Sequence, residues 1–139
     1  MRARTMVRVT ARRRQGYTHD VALQGGHRLV IDEPEDSGGA NQGPSPTRTL
    51  AAALAACTAI TTEMYAGRKG WDLGEVEVEV EMEYGEANVP RSFVVTLRLP
   101  GDLSADQLER LRVIAGKCPV HRALSHEREV TIEDRVERV

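Results

Sequence analysis

Cys57 and Cys118 are the only thiols in a chain of 139 residues, and each lies where sulfur chemistry has a structural basis. Two thiols can cycle between dithiol and disulfide, with the thiolate as the reactive species. Cys57 stands in Leu50-Ala51-Ala52-Ala53-Leu54-Ala55-Ala56-Cys57-Thr58-Ala59-Ile60, a run whose alanines favour helix and whose larger apolar residues recur at helical spacing. Leu50, Leu54, Cys57 and Met64 fall on one stripe, so this thiol is expected to face the interior. Cys118 directly precedes Pro119, which suits the first helical position and leaves Cys118 as the N-cap. There the helix dipole and the unpaired amides favour a thiolate. Two inert buried thiols are the alternative, because free cysteine is among the most buried residue types.

Other groups with chemical potential have plainer readings. His121 follows Cys118 by three residues, which places both on one helical face and would suit a metal. No second local pair accompanies them, so the histidine is read as a residue that caps, packs or tunes the neighbouring thiol, and neither metal nor cofactor is expected. Glu63 lies six residues past Cys57, about 240° around a helix, and does not share the thiol's face. Tyr65 and Trp71 read as core or interface aromatics. The glutamates of Glu75 to Tyr84 read as a solvated sheet face rather than a cation site.

Composition narrows the class. With 40% apolar residues, 29% charged residues and a net charge of -2, the chain reads as a soluble globular protein of one domain spanning 1–139. Six arginines fall in the first 14 residues (Arg2, Arg4, Arg8, Arg12, Arg13 and Arg14). Apolar residues are interleaved with them and aromatics are only 4%, so a solvated basic strand is preferred to nucleic-acid binding. Threonines and Glu63 interrupt the alanine-rich run, which argues against a transmembrane stretch, and no signal region follows Met1-Arg2-Ala3-Arg4. The cytoplasm is the expected compartment, where two cysteines are more often reactive or buried than stapled.

The elements that must position these residues can be read in order. Thr5 to Ala11, Tyr17 to Leu23 and His27 to Ile31 are β-compatible runs separated by Gln15-Gly16 and Gly25-Gly26. A loop from Asp32 to Pro46 follows, of a length often found in functional or mobile segments. A long helix runs from about Pro46 to Ala66 and is expected to end at Gly67. Glu75 to Tyr84 alternates without a break and reads as a strand, with Ser92 to Leu99 as its hairpin partner. A second helix starts at Ser104 with Gln107 as capping-box partner, carries Leu108, Leu111 and Ala115 on its inner face and ends at Gly116. A short helix from Pro119 and a last strand from Glu129 to Ile132 complete an α+β pattern.

Together, Gly43-Pro44-Ser45-Pro46, Leu50 through Cys57-Thr58-Ala59, Met64-Tyr65-Ala66, Arg68-Lys69-Gly70-Trp71 and the distant Cys118-Pro119-Val120-His121-Arg122-Ala123-Leu124 resemble the OsmC/Ohr family. The resemblance covers nearly the whole chain, in order. It implies an OsmC-like fold of antiparallel sheets around a long central helix, in an intertwined homodimer. It also implies a thiol-dependent peroxidase for organic hydroperoxides, recharged by a small dithiol or another thiol donor. On this resemblance Cys57 attacks the peroxide and Cys118 resolves the sulfenic acid as a disulfide.

The chain departs from the family's peroxidases at one place. Those resemble one another in a catalytic arginine held by a glutamate at the helix start, where this chain has Thr47 and Arg48. Arg48 precedes Cys57 by nine residues, which on a regular helix puts it on the opposite side and roughly 13 Å away along the axis. Arg12, Arg13 and Arg14 are the other candidates for an activating cation, and the sequence does not rank them. A second function class therefore stays open: an OsmC-like protein without catalysis that binds a small apolar or electrophilic ligand.

Overall fold

The computed structural model describes residues 6–99 and 102–139 as an α+β arrangement of two antiparallel sheets and three α-helices. The chain divides into two compact units, one ending at Leu50 and the other beginning at Ala51. In the first, β1 (Val9–Gln15), β2 (Thr18–Leu23) and β3 (His27–Ile31) pair in the order β1-β2-β3. The first strand lies further along than expected. Its anticipated start at Thr5 is outside the described residues, and it runs on through Arg12, Arg13 and Arg14 to a turn at Gly16. Gly16 takes φ +54, a left-handed conformation that glycine adopts without a Cβ penalty. The arginines extend the strand because β2 supplies a pairing partner for each of them up to the bulge between Arg13 and Gln15. All seven β1 residues are solvent-exposed.

The loop after β3 is organised around one carboxylate. Asp32 is buried and accepts the Thr18 hydroxyl at 2.7 Å, with backbone N–H groups of Glu33 at 2.7 Å and Gln42 at 3.2 Å, and a longer contact from Ala40 at 3.5 Å. The Thr18 hydrogen bond, assisted by these amides against the cost of burial, holds the Asp32 carboxyl below its usual range. The chain folds back so closely that a Cβ at Gly39 would lie 1.9 Å from the Glu33 carbonyl oxygen, and one at Gly43 2.1 Å from that of Val30. A loop whose length suggested mobility is therefore tied down over most of its course.

Helix α1 (Pro46–Lys69) begins where Pro46 follows Ser45, whose hydroxyl accepts the Arg48 N–H at 3.4 Å. It passes Gly67, the expected end, and stops two residues later at Lys69. There Trp71 N–H bonds the Ala66 carbonyl at 2.9 Å and Gly70 N–H bonds that of Gly67 at 3.2 Å, with Gly70 at φ +71. This paired closure requires a left-handed residue, and Gly70 rather than Gly67 occupies that position. The buried row is Leu54, Thr58, Thr62 and Ala66, spaced by four. The expected stripe through Met64 is corrected, since Met64 is 61% exposed. Hydropathy alone points to the larger apolar residues, whereas close packing here takes up threonine and alanine.

The expectation that no stretch of transmembrane character occurs meets one qualification, by length and composition alone. An 18-residue window of α1 reaches a mean hydropathy of 1.2, enough by length and composition to cross a membrane, although a core helix of a globular protein meets the same measure.

In the second unit, β4 (Glu77–Tyr84) and β5 (Pro90–Arg98) form a two-stranded sheet, two residues off the expected starts. Val78, Val80 and Met82 are half-buried while Glu77, Glu79, Glu81 and Glu83 face solvent, as strict alternation demands. Arg98 pairs with Glu77 and Glu79 on that outer face, each at 3.0 Å. Helix α2 (Ala105–Ala115) carries the expected reciprocal cap, Gln107 N–H to Ser104 Oγ at 3.1 Å and Ser104 N–H to Gln107 Oε1 at 2.8 Å. Its inner face is Leu111, Ile114 and Ala115, and Leu108, expected there, is 44% exposed.

Ala66, Leu73 and Leu111 form a small core flanked by Tyr65, Trp71, Val76, Leu99 and Leu103. Tyr65 and Trp71 meet edge to face at 5.7 Å, the core role expected of them. Helix α3 (Pro119–Leu124) follows, and beyond it no strand forms. The strand expected at Glu129 to Ile132 is absent because a ladder needs a neighbour, and none pairs there among the described residues; Ile132 is 84% exposed.

Candidate functional site

The second unit brings the two thiols together. Cys118 occupies the turn between α2 and α3, with extended backbone at φ -63 and ψ 138. Its Sγ accepts the His121 N–H at 3.3 Å, so the sulfur takes the place that a serine or aspartate oxygen usually holds at a helix start. Pro119 causes this, because a proline fits the first helical position and commits the preceding residue to the cap. The side chain is wholly buried.

Cys57 lies on α1, one residue before buried Thr58, and is half-buried. Its thiol lies near enough to that of Cys118 to bear on its ionisation. Burial pushes the Cys118 thiol above its usual range, and the Cys57 thiol pushes it the same way. The His121 amide and the Thr58 hydroxyl pull it back without reversing the direction. This direction runs against the thiolate expected at the cap. A six-residue helix offers a weak dipole, and desolvation of the anion outweighs it.

Thr58 is the residue that sequence reasoning missed. Its hydroxyl lies 2.9 Å from the Leu54 carbonyl and 3.9 Å from Cys118 Sγ. A threonine inside an alanine-rich helix signals nothing by type, although its position beside Cys57 and four residues after Leu54 marks the face it would share. His121 Nδ1 is a buried nitrogen without a hydrogen-bond partner among the described residues. Among the described residues no three His, Cys, Asp or Glu side chains gather as metal ligands. Glu63 is exposed.

The candidate activating arginines all lie in the first unit, and each is described there. Arg12, Arg13 and Arg14 sit on exposed β1. Arg14 makes a two-pronged pair with Asp20, its Nε 3.1 Å from Oδ2, and this contact lowers the Asp20 carboxyl. Arg13 donates Nε–H to the Gly16 carbonyl at 2.8 Å. Arg48 is exposed in the first turn of α1. No carboxylate side chain stands in that turn.

The arrangement can do dithiol chemistry: a half-buried sulfur near a wholly buried one, on two different segments. Comparisons with known proteins agree with the fold that carries it. The chain is similar in structure to a Psychrobacter arcticus 273-4 protein assigned provisionally to the osmotic stress and detoxification response, at 20% identity over 88% of this chain and 90% of that one, with a TM-score of 0.76. It resembles an OsmC-like protein from Mycoplasma pneumoniae at 16% identity, over 87% and 88% of the two chains, with a TM-score of 0.74. It also resembles the organic hydroperoxide resistance protein OhrB of Bacillus subtilis at 25% identity, over 86% and 90%, with a TM-score of 0.57. Among curated proteins, none matches the chain in sequence. The sequence pattern of the OsmC-like proteins matches residues 38–133, which include both cysteines, and the chain belongs to the OsmC-like protein family.

Proposed function

We propose that this protein is a thiol-dependent peroxidase that reduces organic hydroperoxides through a Cys57/Cys118 dithiol–disulfide cycle. The observation that carries the reading is the proximity of a half-buried thiol to a wholly buried one: Thr58, which directly follows Cys57, places its hydroxyl 3.9 Å from the Cys118 sulfur. The pair divides the labour. Cys57, the reachable sulfur, attacks the terminal peroxide oxygen as thiolate; the O–O bond breaks, an alcohol leaves and Cys57 becomes a sulfenic acid. Cys118, shielded from solvent and held as a thiol, attacks that sulfur to close the disulfide and release water. A small dithiol then restores both thiols by exchange. Burial of the second thiol protects it from direct oxidation while the first reacts.

On this reading the chain acts as a single OsmC-like domain over 1–139, in an intertwined homodimer in the cytoplasm, with a cation from Arg48, Arg12, Arg13 or Arg14 to favour the Cys57 thiolate. The organic hydroperoxide resistance protein of Bacillus subtilis supports the substrate class through its likeness to this chain. A second reading, binding of a small apolar ligand without catalysis, is favoured by one observation. Ala11, Tyr17, Val21, Ile31 and Pro46 line a largely apolar cleft of about 510 Å³ in the first unit.

The test is to mix reduced protein with one equivalent of cumene hydroperoxide and follow thiol loss and intact mass in the wild type, Cys57→Ser and Cys118→Ser. The reading expects an intramolecular disulfide in the wild type and a sulfenic acid on Cys57 only when Cys118 is replaced. Survival of both thiols in excess hydroperoxide would reject it in favour of ligand binding.

A further inference from the structure

Thr58 and Thr62 are wholly buried, and each returns its hydroxyl to the carbonyl four residues earlier, Thr58 to Leu54 at 2.9 Å and Thr62 to Thr58 at 2.8 Å. Valine has nearly the same β-branched shape and no polar atom, so filling these positions does not of itself require the hydroxyls. Thr58 differs from Thr62 in having a second neighbour, Cys118 Sγ at 3.9 Å. A hydroxyl has one hydrogen and two lone pairs. With its hydrogen on the Leu54 carbonyl, Thr58 Oγ1 accepts from the Cys118 S–H; with the hydrogen turned to the sulfur, it donates to a thiolate. Among the described residues no other side-chain hydroxyl hydrogen-bonds this sulfur.

We propose that Thr58 is a positioning residue for disulfide closure: its hydroxyl holds the Cys118 sulfur toward Cys57 and partners that sulfur both before and after the thiol proton leaves. The proposal rests on the dithiol–disulfide reading of the pair. In closure, Cys118 Sγ gives an electron pair to the sulfur of the Cys57 sulfenic acid. The S–S bond forms and the S–O bond breaks. The departing hydroxide takes the Cys118 proton and leaves as water, so Cys118 is oxidised as the Cys57 sulfur is reduced. Because Thr58 touches the attacking sulfur, its loss slows this step relative to the reaction of Cys57. The adjacent hydroxyl of Thr62 bonds only within the helix and is the internal control.

The experiment uses an aromatic disulfide, dithiobis(nitrobenzoic acid), on the full reduced chain, so that its readout is independent of peroxide chemistry. The first nitrothiobenzoate is released when Cys57 forms the mixed disulfide, and the second when Cys118 displaces the remaining group. Thr58→Val is expected to slow the second release by about tenfold, the effect of one hydrogen bond, with Thr58→Ser within about twofold of the wild type and Thr62→Val unchanged. Thr58→Ala serves as a second variant should valine perturb folding, and the same slowing is expected. Wild-type second release in Thr58→Val and Thr58→Ala, or equal slowing in Thr58→Ser or Thr62→Val, would overturn the proposal. If hydroperoxide leaves both thiols intact while the second release still depends on residue 58, the peroxidase reading fails and the positioning role stands.

Discussion

His121 donates its backbone N–H to the Cys118 sulfur at 3.3 Å, so one atom both starts helix α3 and belongs to the thiol pair. Chemistry at Cys118 and the local fold are thereby linked. A disulfide to Cys57 engages the sulfur that satisfies the first turn of α3, and the Thr58 hydroxyl faces the same atom.

The cap itself can be weighed by substitution. Cys118→Ala removes the acceptor for His121 N–H, and Cys118→Ser replaces it with a better one. The alanine variant is expected to be less stable than the serine variant by about 1 kcal/mol, the usual value of an N-cap. Urea denaturation of both proteins at neutral pH checks this; equal stability would mean that a side-chain acceptor at position 118 does not cap α3.

Reactivity toward an alkylating agent should separate the two thiols. Cys57 is half-buried, whereas Cys118 is wholly buried and its thiol is pushed up by desolvation. Iodoacetamide at pH 8 is expected to label Cys57 at least about tenfold faster, read by peptide mass mapping. The same shift fixes the sign of an alkaline effect. Above the pKa of an ordinary thiol the unfolded chain loses the Cys118 proton while the folded chain keeps it, so stability falls as pH rises through that window. Cys118→Ser should remove part of this decline in thermal midpoint between pH 8 and about 10.

Asp32 gives the opposite dependence. Its carboxyl is held low chiefly by the Thr18 hydroxyl, with backbone amides assisting, so its stabilisation is present above the usual carboxylate pKa and disappears as pH falls through the folded-state value. Asp32→Asn replaces an oxygen that accepts from the loop with a group that donates. Calorimetry is expected to show a lower thermal midpoint for the variant at pH 7 and a smaller difference near pH 3, where the wild-type carboxyl is protonated. A constant difference across that range would show that the loop does not depend on the charge.

Much of the fold could be read locally. Strand β3 has the expected bounds, and the reciprocal cap at Ser104 and Gln107 and the N-cap at Cys118 are where the sequence places them. Each depends on residues a few positions apart. The misreadings share a different origin. Met64 turned outward and Thr58 inward because the buried row of α1 is chosen by what packs against it. The tail from Glu129 has strand-like residues but no neighbouring strand among the described residues. Gly67 and Gly70 both satisfy the rule for a helix end, and only the closing hydrogen bonds distinguish them.

The sequence by itself determined the element order as far as α3, the α+β class, the family and the two sulfur positions, because periodicity, caps and motif spacing are carried by neighbouring residues. Only the tertiary structure decided that the two sulfurs come near each other across 61 positions of chain, that a threonine hydroxyl stands at one of them, and that burial pushes the capped thiol up. Contact between distant segments and exclusion of water are properties of packing, and desolvation of Cys118 outweighs the helix-start effect that its local sequence suggests.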